Sequence, residues 1–374
     1  MMQKYIYHST NWPTFIWDKN LIMERQSAIN KMAGHLFGRL HDIGLDAQLQ
    51  TMTQMVTDNV VDSYSIEGIA LDVAQVRSSV ARRLGVEQMV QTEPSHYIDG
   101  IVEMMLDATT NYLTPLTEDR LFGWHSALFP NTRSGIQGID VGRYRQRGMD
   151  VVSGMLGREK IHYHAPEPDV VPAMMHQFLN WFNGNTTKDY IRSAVAHLHF
   201  VSIHPFDDGN GRIARAISDM ALSQADNSPM RYFSMSTQVN REKKRYNSIL
   251  EHTQRGDGDI TEWIDWYLGC MGRAIESAEK SLSLILRKSI FWQNHTSDSF
   301  SPRQHTVLNI YLDGYDGKLT VKNYAKLAEV STDTAIRDIH ELAARGIVKA
   351  KEGMMRNVEY EIIINKREFY KLNS

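Results

Sequence analysis

The chain has 374 residues, 42% hydrophobic and 23% charged, with a net charge of −3; a length and balance of this kind carry two or three soluble folded units and give no overall drive toward nucleic acid or an anionic membrane. Cys270 is the only cysteine, so an internal disulfide and a cysteine-ligated zinc site are excluded. No run of 18 apolar residues and no leader-like start occur, so no membrane span and a cytoplasmic location are expected.

In chain order, the first feature is an aromatic stretch, Tyr5-Ile6-Tyr7-His8, Trp12-Pro13 and Phe15-Ile16-Trp17, read as an arm that packs on a helical core. Val56, Val60, Ser63 and Glu67 then fall on one face of a helix that Gly68 stops. Residues 148–165 predict a hairpin, Val151-Val152 and Ile161-His162-Tyr163 flanking Gly154 and Gly157. His162 and His164 alternate without a third ligand, so they are read as surface polar groups and not as a metal pair. Ile191, Ala194, Val195, Leu198 and Val201 predict a helix over 189–203 with one buried face. Pro205 ends it near Ile203, and Ile213, Ala216, Ile217, Met220 and Ala221 resume the helical period. Tyr246, Ile249, Leu250 and Thr253 mark a further helix, and Trp263 to Leu282 a long one.

The segment between the two central helices reads His204-Pro205-Phe206-Asp207-Asp208-Gly209-Asn210-Gly211-Arg212-Ile213-Ala214-Arg215. Gly209-Asn210-Gly211 leads into a helix N-terminus, where free N–H groups and the dipole attract anions and glycines admit a phosphate close to the backbone. Arg212 and Arg215 lie three apart on the first turn and offer paired donors to phosphate oxygens. Asp208 supplies a hard oxygen of the kind Mg²⁺ takes beside substrate phosphates. His204 accepts a proton near neutral pH. Together they are suited to holding a polyphosphate and deprotonating a group beside it.

This segment resembles the Fic motif, H-P-F-x-[DE]-G-N-G-R-x-x-R, at every position. The resemblance implies a mostly α-helical bundle with a small β-hairpin flap, and transfer of AMP from ATP onto a Ser, Thr or Tyr hydroxyl of a protein. By motif position, His204 would be the base and Phe206 would pack under the loop. Asp208 would hold Mg²⁺, Gly209, Asn210 and Gly211 would form the anion nest, and Arg212 and Arg215 would bind the outer phosphates. Related Doc kinases carry Lys where Gly211 stands, so AMP transfer is favoured. Ser63-Tyr64-Ser65-Ile66-Glu67-Gly68 also resembles the family's inhibitory pattern, [ST]-x-x-x-E-[GN]. Ser63 and Gly68 would frame Glu67, which would pair with Arg215 where the γ-phosphate must lie. The resemblance further implies that the target docks on the open edge of the flap 148–165, that Ile161, His162 and Tyr163 lie over the nucleotide, and that Tyr246, Asn247 and Gln254 contact its adenine and ribose. Self-modification and a homodimer are compatible with it.

Beyond a polar boundary at 294–302, Asn323–Ala328 and Thr332–Arg345 predict two helices, the second capped near Ser331 and ended by Gly346. Strands at 347–350 and 360–363 follow, turning near Gly353, which completes the pattern of a winged helix-turn-helix. Residues 318–374 carry 11 basic against 8 acidic residues. The second helix holds Asp333, Asp338 and Glu341 against Arg337 and Arg345, while Lys349, Lys351 and Arg356 make a basic wing. DNA binding through 300–374 and a packing role both remain open. Three units are expected: an N-terminal extension over 1–95, a catalytic core over 96–295 and this module over 300–374. Three rival functions stay open beside AMP transfer: removal of AMP, use of another nucleotide such as UTP, and an ATP-sensing DNA-binding regulator.

Overall fold

The computed structural model describes residues 5–41, 44–135, 137–154, 158, 160–184, 187–351 and 358–364. The chain is mostly helical, as expected. Its helices are α1 (Lys19–His41), α2 (Leu45–Ile66), α3 (Val73–Arg83), α4 (His96–Thr110), α5 (Glu118–Leu128), α6 (Val171–Gly184) and α7 (Tyr190–Ile203). They continue with α8 (Asn210–Asp226), α9 (Met235–Arg241), α10 (Lys243–Gln254), α11 (Thr261–Asn294), α12 (Pro302–Leu312), α13 (Val321–Leu327) and α14 (Thr332–Ala344). Antiparallel pairs join β1 (Arg133–Ser134) to β2 (Gln137–Gly138), β3 (Asp150–Ser153) to β4 (Lys160–His164), and β5 (Val348–Ala350) to β6 (Tyr360–Ile362). Two compact units part between Ala278 and Glu279, and Phe37–Ala47 groups with the second.

The larger unit is built around α7 and α8. The expected single buried face of α7 is corrected: every residue from Arg192 to Ile203 is buried. Small residues let α8 approach, and Ser193 donates to the Ser218 carbonyl at 2.9 Å. Trp263 of α11 donates to the Ala194 carbonyl at 2.8 Å. The N-terminal arm covers another side, with Trp12 and Phe15 set edge-on to His199 at 4.8 and 5.6 Å, and Phe178 of α6 a third at 5.1 Å. A helix enclosed from all sides needs no polar stripe. The arm therefore packs, as its composition suggested; its Tyr5 meets Tyr163 of β4 edge-on at 5.1 Å.

The flap lies where the sequence predicts a hairpin, with a register shift between Val151 and Val152 that leaves His162 as the extra residue of β4. Gly157 lies outside the described residues.

In the second unit, Leu308, Leu312, Tyr324, Ile339, Leu342 and Ile347 form the core. Ser301 and Gln304 cap α12 reciprocally, and Ser331 caps α14, accepting from the Thr334 N–H at 3.3 Å. Gly346, at φ +71°, ends it. Helix α13 begins at Val321, two residues before the predicted start, because Thr320 caps it. The expected turn near Gly353 and the basic Arg356 lie outside the described residues. Asp338 faces inward and not toward a partner: it accepts from Arg303 at 2.5 and 2.9 Å and from the Tyr324 hydroxyl at 3.0 Å. Lys349 and Lys351 pair with Glu361 and Glu359 across their own hairpin. Among the described residues, no helix is long and apolar enough to cross a membrane.

Candidate active site

The site forms where α7 gives way to α8. His204 closes α7 in the left-handed region, at φ 53° and ψ 57°, its N–H bonded to the Phe200 carbonyl at 3.0 Å. That conformation is costly for a residue with a Cβ and persists only where surroundings enforce it. Arg145 is the enforcer. Its side chain is 1% exposed and donates to the carbonyls of His204 (2.8 Å), Arg147 (2.8 Å) and Pro166, while its own N–H donates to Pro205 at 2.9 Å. The His204 ring sets Nδ1 3.2 Å from the Val201 carbonyl. A carbonyl only accepts, so Nδ1 carries the hydrogen and Nε2 keeps its lone pair. Burial, opposed by that hydrogen bond and helped by the Arg145 charge, pulls the imidazole down to about 4. It is a neutral base throughout the physiological range.

The loop is stapled from below. Phe206 is fully buried and stacks on His125 at 4.3 Å. Asn210 brackets it, accepting from the Phe206 N–H at 2.9 Å and donating to its carbonyl at 2.7 Å. Asn210 was expected in the anion nest itself; with both ends of its amide on the loop backbone, it supports the nest from behind. His125 donates Nε2–H to the Asp208 carbonyl at 3.1 Å and accepts the Gly142 N–H at 3.1 Å. Gly209 begins α8 at φ +83°, and a Cβ there would come 2.9 Å from the Phe129 ring, so both backbone and space require glycine.

The cationic wall is unusually buried. Arg212 is 2% exposed, sandwiched over Tyr64 (5.0 Å) and Phe129 (4.8 Å), with one N–H 3.4 Å from Asp208. Arg215 is 4% exposed and donates to the Ser63 hydroxyl (2.8 Å), the Ser63 carbonyl (2.7 Å) and Glu67 Oε1 (2.8 Å). Arg212 Nε, Arg215 Nη1 and the Tyr64 hydroxyl are buried with no hydrogen-bond partner among the described residues. Unpaired buried donors cost free energy; beside a helix N-terminus without a side-chain cap, they are suited to hold an anion. Glu67 stands at its rim: α2 ends at Ile66, Gly68 turns at φ +78°, and Glu67 Oε1 would lie 2.5 Å from a Cβ on Gly211.

Asp208 presents a partly exposed carboxylate that accepts from Ser134 of β1 and from the Gly209 N–H at 2.5 Å. Among the described residues no group of three His, Cys, Asp or Glu side chains surrounds it. One carboxylate beside an anion nest fits Mg²⁺ brought in with phosphates, and not a cage for the free ion.

The other expected contacts are placed unevenly. Ile161 is exposed on β4, and His162 holds Glu251 of α10. Tyr163 turns inward, donating its hydroxyl to the Ser202 carbonyl at 2.6 Å. Tyr246 lies beside Arg215 in a small buried hollow, with its hydroxyl 2.9 Å from His197. Gln254 is buried and donates to Ser202 and Val201; Asn247 is exposed. The sequence reading missed Arg145, His125 and Ser134, whose contacts span 59, 83 and 74 residues and follow no periodic pattern.

Residues 115–222 match the Fic/DOC family, and residues 5–86 match a domain of unknown function, DUF4172. The chain therefore carries a Fic/DOC domain, and its fold is of the Fic type. It is 24% identical over 226 residues to a protein adenylyltransferase Fic of Aedes aegypti, covering 58% of this chain and 40% of that one. It is 30% identical over 118 residues to a uridine 5'-monophosphate transferase of Xanthomonas campestris pv. campestris, covering 29% of this chain and 21% of that one. The chain thus spans two fifths or less of these relatives. A Fic family protein from Desulfovibrio desulfuricans G20 superposes with a TM-score of 0.55 at 18% identity, covering 92% of this chain and 97% of that one. A Fic domain containing signaling protein from Bacteroides thetaiotaomicron gives 0.51 at 20% identity, covering 68% and 96%.

Replacing Arg145 by Met should orphan three carbonyls and lower stability by about 2–4 kcal/mol, read by urea unfolding; a change within error would remove Arg145 from its role at the corner. The His204 imidazole should stay neutral on acidification to about pH 5, since its pKa lies near 4. A ring titration near 6.5 by NMR would contradict that placement.

Proposed function

We propose that this chain is a Fic-type nucleotidyl transferase that moves AMP from ATP to a Ser, Thr or Tyr hydroxyl of a protein, and that Glu67 holds it inactive. The observation that carries the reading is the pair of buried guanidinium donors, Arg212 Nε and Arg215 Nη1, without hydrogen-bond partners among the described residues, beside a neutral histidine. ATP phosphates would occupy the nest at Gly209–Gly211 and satisfy both arginines. His204 Nε2 takes the proton of the target hydroxyl, whose oxygen attacks the α-phosphorus. The bond to the β-phosphate bridging oxygen breaks, and pyrophosphate leaves. Asp208 would hold Mg²⁺, which supplies charge neutralisation on the phosphates.

Glu67 competes for the Arg215 fork, so phosphate enters at full strength only when the carboxylate is displaced. The target would dock on the flap. Arg255, just past α10, already donates to the β4 carbonyls of Ile161 and His162, so the outer edge of β3 is the side left for strand addition. A second reading keeps the chemistry and changes the nucleotide, and the likeness to a uridine 5'-monophosphate transferase favours it. DNA binding by the C-terminal elements draws no support from the paired Lys349 and Lys351.

Incubated with a cell lysate and α-labelled ATP, Glu67→Gly protein should label other proteins at least about tenfold more than wild type. Adding His204→Ala should cut that labelling roughly a hundredfold or more. Equal labelling by all three would refute both assignments, and much stronger labelling from α-labelled UTP than from α-labelled ATP would select the second reading.

A further inference from the structure

The flap holds a hydrogen-bonded chain that nucleotide transfer by His204 does not use. The Ser153 hydroxyl of β3 lies 2.5 Å from His162 Nε2, and His162 Nδ1 lies 2.5 Å from Glu251 Oε2 of α10. A carboxylate only accepts, so Nδ1 carries the ring hydrogen; in the neutral imidazole Nε2 is then the acceptor, and Ser153 donates to it. The order is serine, histidine, carboxylate, with the acid orienting the ring and steadying the imidazolium that forms.

Glu251 is held in the charged form for this role. Burial alone would raise its carboxyl, but His162, Arg255 and Lys160 bring it below the usual carboxylate range. Arg255 lies 3.1 Å from Oε1 and Lys160 3.7 Å, leaving Oε2 to the histidine. Arg255 also grips the His162 carbonyl at 3.0 Å, at the bulge that turns this ring toward β3. The acid and base are mostly covered, at 19% and 26% exposure, while the serine is exposed. A covered relay behind an open hydroxyl is the arrangement of a nucleophile, whereas a strut would bury both ends. The neighbouring His164, paired with Asp150 on the same hairpin, has no hydroxyl at its other nitrogen among the described contacts.

We propose that Ser153 is an activated nucleophile and the residue of this chain that accepts a nucleotidyl group. The acceptor half rests on the transfer reading above, in which the flap that carries Ser153 presents the hydroxyl to be modified. In the step, Ser153 Oγ attacks the α-phosphorus of ATP, and its proton passes to His162 Nε2 in place of His204. A phosphodiester to AMP forms, the α–β bridging P–O bond breaks, and pyrophosphate departs.

Two measurements test it. A fluorophosphonate probe needs neither ATP nor displacement of Glu67: Oγ displaces fluoride from phosphorus, and the adduct is located by peptide mass spectrometry. Wild-type protein should carry the probe at Ser153, and His162→Asn and Glu251→Gln should slow labelling at least about tenfold each while Ser153→Ala abolishes it there. Peptide mapping of Glu67→Gly protein after ATP and Mg²⁺ should then find AMP on Ser153, dependent on His162. Wild-type Ser153 that ignores the probe would overturn the proposal outright, and no variant is needed for that result. AMP mapped only to other residues would overturn the acceptor assignment while the transfer reading stood. No AMP on any protein, with Ser153 still taking the probe, would sink the transfer reading and the acceptor half with it.

Discussion

A guanidinium buried at a helix N-terminus has to be paired, and the site is organised by that demand. Arg215 is 4% exposed and spends three donor contacts at the end of α2: two on Ser63 and one on Glu67, just past the helix. Removing a charge from water costs several kcal/mol unless it is paired and hydrogen-bonded. The chain meets that cost from within, at the place where a phosphate would meet it from outside. The same contacts that hold the N-terminal segment to α8 therefore also close the anion site. Under the proposed function, stability of the resting state and access to the nucleotide are two readings of one ion pair.

The catalytic corner is held by a different economy. His204 sits in a left-handed conformation because its carbonyl, like those of Arg147 and Pro166, is collected by the buried Arg145. Phe206 and Asn210 fix the loop on the other side. The histidine is thereby presented with Nε2 free and its charge suppressed by burial. A general base is most useful when it is unprotonated at working pH and already aimed. Geometry and desolvation supply both here.

Much of this was legible from local pattern. The 204–215 segment, the helices on either side, Glu67 before a stopping glycine, the flap and the C-terminal helices were all read from motif spacing, period and caps. What stayed hidden were contacts made by tertiary closure. Arg145 looks like one arginine among several in a polar loop, and nothing local to Ser153, His162 and Glu251 announces that they meet. Period failed once for a physical reason: α7 carries enough small and apolar residues to be enclosed on every side, and a helix with no solvent face shows only a partial stripe. The resemblance gave Asn210 and Tyr163 roles toward a nucleotide, and residue type gave Asp338 an outward one, whereas each spends its polar group on the fold.

The most direct test of the account is the phosphate dependence of binding, measured by calorimetry with ATP and with ADP on wild type and Glu67→Gly. If Glu67 occupies the place of the terminal phosphate at Arg215, its removal should tighten ATP at least about tenfold, the worth of one charge-assisted hydrogen bond, and leave ADP nearly unchanged. Equal gains for both nucleotides, or none for ATP, would contradict the competition between carboxylate and phosphate from which the rest is built.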